Sequence, residues 1–230
     1  PSNTEALALR GAIHESQGQI DAAIQLHERA LTNHPYHLLS LRSLARLYAD
    51  LGRREEAAAL FRRLARMQPE AAYLAYHRLG LNLREKGAYE SAAWAFAQAL
   101  EVDIDSPKTA LHLELARALA EAGSHETAIE EYRALLAVDP QLPLIHYRLG
   151  ILLLQTHDLQ TAAEHLRSAT RLDSTKAVHW LALAATMEKL GDTTSAAAAY
   201  RAALGLDPGN RVATAGLDRT RGGVAPDPGR

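Results

Sequence analysis

The 230-residue sequence contains no cysteine. Disulfides, thiolate-bound zinc, cysteine-held iron–sulfur clusters and cysteine nucleophiles are therefore excluded. Lysine is nearly absent as well, with Arg supplying 21 of the 25 basic residues. With 27 Asp and Glu the net charge is -2, which excludes a bulk polycation that coats nucleic acid. Apolar runs such as Ile151–Leu154 fall far short of the roughly 20 residues that a membrane span needs. These residues hold no signal-peptide pattern, and the start at Pro1 rather than Met is read as the mark of a removed leader or a longer N-terminal region. There is no phosphate-cradling GxxxxGK[ST], no GxGxxG and no HExxH. What remains is an ordinary globular composition, 47% hydrophobic and 23% charged, rich in Ala. The Arg and Ala bias points to a GC-rich bacterial genome. The compartment stays open, since a cysteine-free soluble region suits the cytoplasm or the periplasm.

The sequence repeats itself. Tyr76-His77-Arg78-Leu79-Gly80 is answered by His146-Tyr147-Arg148-Leu149-Gly150. A turn residue is followed five positions on by Ala in Gly18/Ala23, Gly52/Ala57, Gly87/Ala92, Gly123/Ala128, His157/Ala162 and Gly191/Ala196. Twelve residues after four of those alanines stand Pro35, Pro69, Pro140 and Pro208. These residues resemble the tetratricopeptide repeat family, a helix–turn–helix unit of about 34 residues. Its pattern has a large residue at position 4, a small one at 8, Ala at 20, an aromatic at 24 and Pro at 32. Six copies fit: residues 4–37, 38–71, 73–106, 109–142, 143–176 and 177–210. Position 8 is Gly11, Ala45, Gly80, Ala116, Gly150 and Ala184, and position 24 is His27, Phe61, Phe96, Tyr132, Leu166 and Tyr200.

The resemblance implies an all-α, right-handed superhelical solenoid in residues 1–221. Small residues at 8 and 20 let helices approach, and large ones at 4, 7, 11 and 24 fill the space between them. The Gly takes a strained turn, and the Pro ends the second helix and opens the turn into the next repeat. Departures from the pattern carry expectations. Leu64 and Leu135 replace the small residue at 27, Ile104 and Pro107 predict a longer exit turn, and His157 replaces a turn Gly. The first repeat matches least well, with Arg10, His14 and His27 at usually apolar positions. A cap helix is expected at about 211–221, with Val212 and Leu217 as its apolar residues, and a disordered tail at 222–230. Pro1-Ser2-Asn3 aligns with Pro208-Gly209-Asn210, so the chain reads as a segment of a longer array or protein.

No set of residues suggests catalysis. The acidic residues read as solvated helix faces. Of the 11 His, His34 and His37 with His77 or His112 are the candidate metal set. Packing roles for His27, His112 and His146 fit the repeat better, so no metal or other cofactor is expected. Nucleic acid is not an expected partner either. The second repeat carries net +3 and the fourth net -4, a dipole rather than a basic stripe.

The family resemblance places the first helices on a concave groove. Mapped there are Arg42, Arg46, His77, Arg78, Leu81, Arg84, Arg117, Tyr147, Arg148, Ile151 and Leu154. Arg forks hold carboxylates by paired hydrogen bonds, and Tyr offers a stiff contact area. The expected partner is therefore a protein or peptide, acidic or carboxylate-bearing, with an apolar side chain near Tyr147, Ile151 and Leu154. Against this, Arg46/Asp50 and Arg117/Glu121 are spaced to neutralise each other along one helix, and Glu114 repels an acidic ligand. The carboxylate clamp of chaperone-binding relatives is not matched, since Ala110 and Glu114 contradict it. The function read from the sequence is a non-enzymatic interaction scaffold, as in bacterial envelope, secretion, pilus or polysaccharide machinery. The alternative is a docking region cut from a larger enzyme such as a glycosyltransferase or sulfotransferase. Self-association through an exposed apolar end is a further option.

Overall fold

The computed structural model describes residues 3–102 and 108–222. Thirteen α-helices and no strand occur among them. The chain divides into two compact units, Pro1–Ala122 and Gly123–Arg230. The first unit holds α1 (Thr4–Ser16), α2 (Ile20–Asn33), α3 (Leu38–Asp50), α4 (Arg54–Met67), α5 (Pro69–Glu85), α6 (Tyr89–Leu100) and α7 (Thr109–Glu121). The second holds α8 (His125–Val138), α9 (Pro143–Gln155), α10 (Leu159–Leu172), α11 (Ala177–Lys189), α12 (Thr193–Leu206) and α13 (Arg211–Gly222). Within each unit consecutive helices pack as antiparallel pairs, and each pair stacks on the next. The fold is an all-α solenoid of helix–turn–helix repeats. The expected exit turn at Ile104 and Pro107, residues 223–230 of the expected disordered tail and Pro1-Ser2 lie outside the described residues, while Gly222, expected to open that tail, is the last residue of α13.

The small residues explain the close packing. All six alanines at position 20 are fully buried, so none has room for a larger side chain. At position 8 the glycines meet the large residue of the partner helix. A Cβ on Gly80 would lie 2.5 Å from Cε1 of Phe96, and one on Gly150 would lie 2.6 Å from Cγ of Leu166. Leu64 and Leu135, which replace the small residue at 27, are themselves buried.

The turns after α1, α3, α5, α7 and α11 use the left-handed backbone region at Gly18, Gly52, Gly87, Gly123 and Gly191. The sixth turn places His157 there, with φ 65°. A Cβ in that conformation costs about 1–2 kcal/mol. His157→Gly is therefore expected to raise the denaturation midpoint of the second unit, partly offset by the looser unfolded chain. Urea denaturation followed by Trp180 fluorescence checks this, and an unchanged or lowered midpoint would remove strain at His157 as the reason.

Two expectations are corrected. Pro69 does not open a turn. It stands at the first position of α5, directly after the non-helical residue Gln68 that caps both α4 and α5. Proline suits that position because its missing N–H has no helical acceptor there. α5 thus gains a turn at its start and reaches 17 residues, against 13 for α1 and α3. In α13 the buried residues are Ala213, Gly216, Leu217 and Thr220, while Val212 is 65% exposed. Val212 and Leu217 are five apart and point to different faces, whereas Ala213, Gly216, Leu217 and Thr220 share one. Gly216 lies directly against the Tyr200 ring.

α13 is also tied down by charge. Arg219 donates Nε and Nη2 hydrogen bonds of 2.6 and 2.9 Å to Glu188 of α11, and the Tyr200 hydroxyl donates at 2.7 Å. Those two donors, Arg219 first, hold the Glu188 carboxyl at about 2. The tie is therefore complete above the ordinary Glu range near 4.5 and is lost as pH falls through about 2.

Candidate functional site

In the first unit α1, α3 and α5 lie side by side. Between them opens a cavity of about 620 Å³. α5 supplies Ala71, Leu74, Ala75, Arg78 and Asn82, with Lys86 just past its end, α3 supplies Arg42, Ser43 and Arg46, and α1 supplies Glu15. The stripe 71, 75, 78, 82, 86 repeats at steps of four and three, so one face of α5 forms the wall. It begins inside the extra first turn that Pro69 allows. Leu74 is 49% exposed, which makes the floor apolar yet accessible.

The charges around this cavity are unequally committed. Arg46 pairs with Glu15 and, at 2.9 Å, with Asp50. Lys86 also reaches Asp50, at 3.2 Å. Arg42 and Arg78 are exposed and have no ion-pair partner among the described residues. Two guanidinium forks thus face an apolar floor with their donors unspent.

The other mapped residues behave differently. Arg84 of α5 and Arg117 of α7 both pair with Glu114, at 3.5 and 3.1 Å. Arg117 therefore takes the carboxylate three residues before it, not Glu121 four after it. Both guanidiniums leave a buried Nε without a partner among the described residues. His77 sits between rings, with Tyr73 stacked at 6.2 Å and Phe96 tilted at 6.0 Å, and Leu81 packs on the core. In the second unit Tyr147 lies over His179 at 5.0 Å, and Tyr147 and Ile151 pack against the core of that unit. Arg148 and Leu154 are half-buried, and the Arg148 Nε has no described partner. The exposed apolar residues on that face are instead Leu144 and Val178.

The mapped set missed Leu74, Asn82, Lys86 and Ser43. The signal for two of them, Asn82 and Lys86, lies in the α5 stripe, once the helix is started at Pro69 rather than at Tyr73.

One arrangement has the outline of a hydrolytic triad. His37 Nε2 lies 2.9 Å from Glu5 Oε2, and its Nδ1 lies 3.0 Å from Ser40 Oγ. Ser40 is fully buried, however, so no substrate reaches it. The network has a structural role. His37 caps α3 by accepting the Ser40 N–H on Nδ1, so its Nε2–H donates to Glu5. The Ser40 hydroxyl donates to His37 and accepts from Nδ1 of His27, at 3.3 Å. That leaves His27 Nε2 as a bare, buried lone pair with no described partner.

Burial, then the neighbouring His37 and Arg46, hold the His27 imidazole below its ordinary value of 6.5. The unfolded chain therefore takes up this proton first as pH falls. Stability from the neutral ring is complete above about pH 6.5 and declines below it. His27→Phe places in this slot the ring that Phe61 and Phe96 supply in the next two repeats. The first unit is expected to lose less stability between about pH 7 and pH 5.5 in this variant than in the parent. Urea midpoints at the two pH values check it, and an equal loss in both proteins would exclude His27 as the source.

No group of three or more His, Asp or Glu side chains placed to hold one ion occurs among the described residues. No described helix is long and apolar enough to cross a membrane.

Family models described as tetratricopeptide repeat match residues 15–78 and 147–211, and one described as TPR repeat matches residues 116–157. Over 107 residues the chain is 32% identical to Tetratricopeptide repeat protein 7B of Homo sapiens. That match covers 46% of this chain and only 13% of the human protein's length. Among solved structures, MamA protein aligns with a TM-score of 0.61 at 22% identity, covering 66% of this chain and 81% of that one. YrrB, described as a TPR protein with an unusual peptide-binding site, aligns with a TM-score of 0.61 at 17% identity, covering 84% and 97%. At these identities the likeness is one of fold.

Proposed function

The chain belongs to the tetratricopeptide repeat family, and on that premise we propose that it is a non-enzymatic scaffold binding an acidic peptide segment between α3 and α5. The observation that carries this reading is the pair Arg42 and Arg78, uncommitted beside an apolar floor. A carboxylate held by two Arg forks gains charge-assisted hydrogen bonds. An apolar side chain next to it covers Leu74 and the adjacent Ala71 and Ala75. Arg46 and Lys86, already paired, shape the end of the cavity and add a weaker positive field. The peptide-binding site named for YrrB supports a peptide as the class of ligand. The arginine- and alanine-rich composition supports a bacterial source, and the family resemblance supports a place in a multiprotein assembly.

Paired synthetic peptides test the reading. One set carries Leu or Met flanked by Glu and Asp, and the other has Gln and Asn in their place. Fluorescence anisotropy is expected to show binding of the acidic set that weakens strongly between about 0.05 and 0.5 M salt. Equal binding of the neutral set, or salt-insensitive binding of both, would remove the carboxylate from the recognition.

A further inference from the structure

In the second unit α9 and α10 face each other as one antiparallel pair, and each contributes one imidazole to their shared edge. Nδ1 of His146 lies 2.9 Å from Nδ1 of His165, with ring centroids 5.2 Å apart and planes inclined at 37°. The outer nitrogen of His146, Nε2, lies 3.2 Å from the carbonyl oxygen of Pro140. A carbonyl only accepts, so Nε2 carries the hydrogen of neutral His146 and its Nδ1 is a bare lone pair. That lone pair is directed at His165, whose Nδ1–H donates to it.

We propose that this pair is a two-imidazole site for a late first-row divalent ion, Cu²⁺ or Ni²⁺. The geometry selects the class. With metal–nitrogen bonds of about 2.0–2.1 Å, nitrogens 2.9 Å apart subtend about 90° at the ion. A right angle is the cis relation of a tetragonal site, which Cu²⁺ and Ni²⁺ prefer. Tetrahedral Zn²⁺ would need the nitrogens nearer 3.3 Å apart.

The Pro140 carbonyl supplies the outer support that ligating imidazoles ordinarily have, fixing the tautomer and the ring. Rotations of the two rings about their broad second torsions, on the order of 45° in lone-pair direction, bring both lone pairs onto one ion. His165 moves its hydrogen from Nδ1 to Nε2, so no proton leaves the neutral pair. Asp158 and Glu164 place negative charge near His165, against the positive charge of Arg133. Both rings are half-buried, which leaves the remaining coordination positions to water. The bound ion tethers α9 to α10 and stabilises the second unit by mass action.

The test uses the chain without a polyhistidine tag. Cu²⁺ is titrated in a non-coordinating buffer. Stoichiometry is read from the visible band, nitrogen ligation from electron paramagnetic resonance, and Tm is followed alongside. One ion per chain and a raised Tm are expected. His146→Phe, which keeps a large packing residue, and His165→Gln are each expected to weaken binding by at least about tenfold. His34→Gln, at the other candidate His cluster, is expected to leave binding unchanged. Circular dichroism of each variant without metal separates lost ligation from lost folding. Absence of one-to-one binding by the parent, or undiminished binding by folded His146→Phe and His165→Gln, would overturn the proposal.

Discussion

Phe96→Ala is expected to lower the unfolding free energy of the first unit by about 3–5 kcal/mol. The ring is fully buried, and its removal forfeits its transfer energy and leaves a cavity. The more informative comparison is with Gly80, across the helix pair. Gly80→Ala alone is expected to destabilise by about 1–3 kcal/mol, because the new methyl lands 2.5 Å from Cε1 of Phe96. In an otherwise open helix the same change stabilises by about 0.5–1 kcal/mol. Overlap wins while the ring is present, and with Phe96 truncated the sign should reverse. Gly80→Ala made in the Phe96→Ala background is thus expected to be neutral or stabilising, a coupling well above the few tenths of a kcal/mol seen between distant sites. Trp94 reports the first unit directly, being 6.0 Å edge-on from Tyr76. A Trp180→Phe background removes the signal of the second unit. Additive effects of Gly80→Ala and Phe96→Ala would mean that the small residue at position 8 is not there to admit the ring.

The double variant Arg42→Glu/Arg78→Glu is expected to weaken binding of the acidic peptides on the order of 30-fold or more. Its effect on stability should stay within about 0.5 kcal/mol, because neither guanidinium holds a described ionic partner. Arg84→Glu is the contrasting variant. It places a second carboxylate beside Glu114, whose partners Arg84 and Arg117 stand at 3.5 and 3.1 Å. Its main effect should be a lowered urea midpoint of the first unit. Anisotropy and denaturation measured on both proteins distinguish the two behaviours. If Arg84→Glu abolishes binding while leaving the midpoint unchanged, the ligand-facing cations have been assigned to the wrong pair.

Much of the architecture is legible in single residues. Gly80 and Phe96, or Gly150 and Leu166, are small and large partners at a repeating separation, and the structure puts each pair in contact. His157 sits where glycines stand in the other turns, and it adopts the same left-handed backbone. Local geometry decides such features, so a repeating pattern exposes them. The α13 face is legible only in part: Leu217 is buried as expected, while Val212, five residues earlier, points away from the core because hydrophobicity alone does not fix angular position. The small residues Ala213 and Gly216 share the buried face, and Gly216 carries the contact with Tyr200.

The binding surface was legible only in part. Sequence spacing identifies partners along one helix, as with Arg46 and Asp50. It does not identify those on different helices: Glu15 with Arg46, Asp50 with Lys86 and Glu114 with Arg84 are separated by about thirty residues or more. By itself the sequence determined the repeat, the helix pairs, their turns and the abundance of arginine on the first helices, because these follow from residue size and backbone preference within a short window. Only the tertiary structure decided which arginines lack an ion-pair partner among the described residues, because a charge is spent by whatever lies within a few ångströms of it, and that distance is set by how one helix packs on the next.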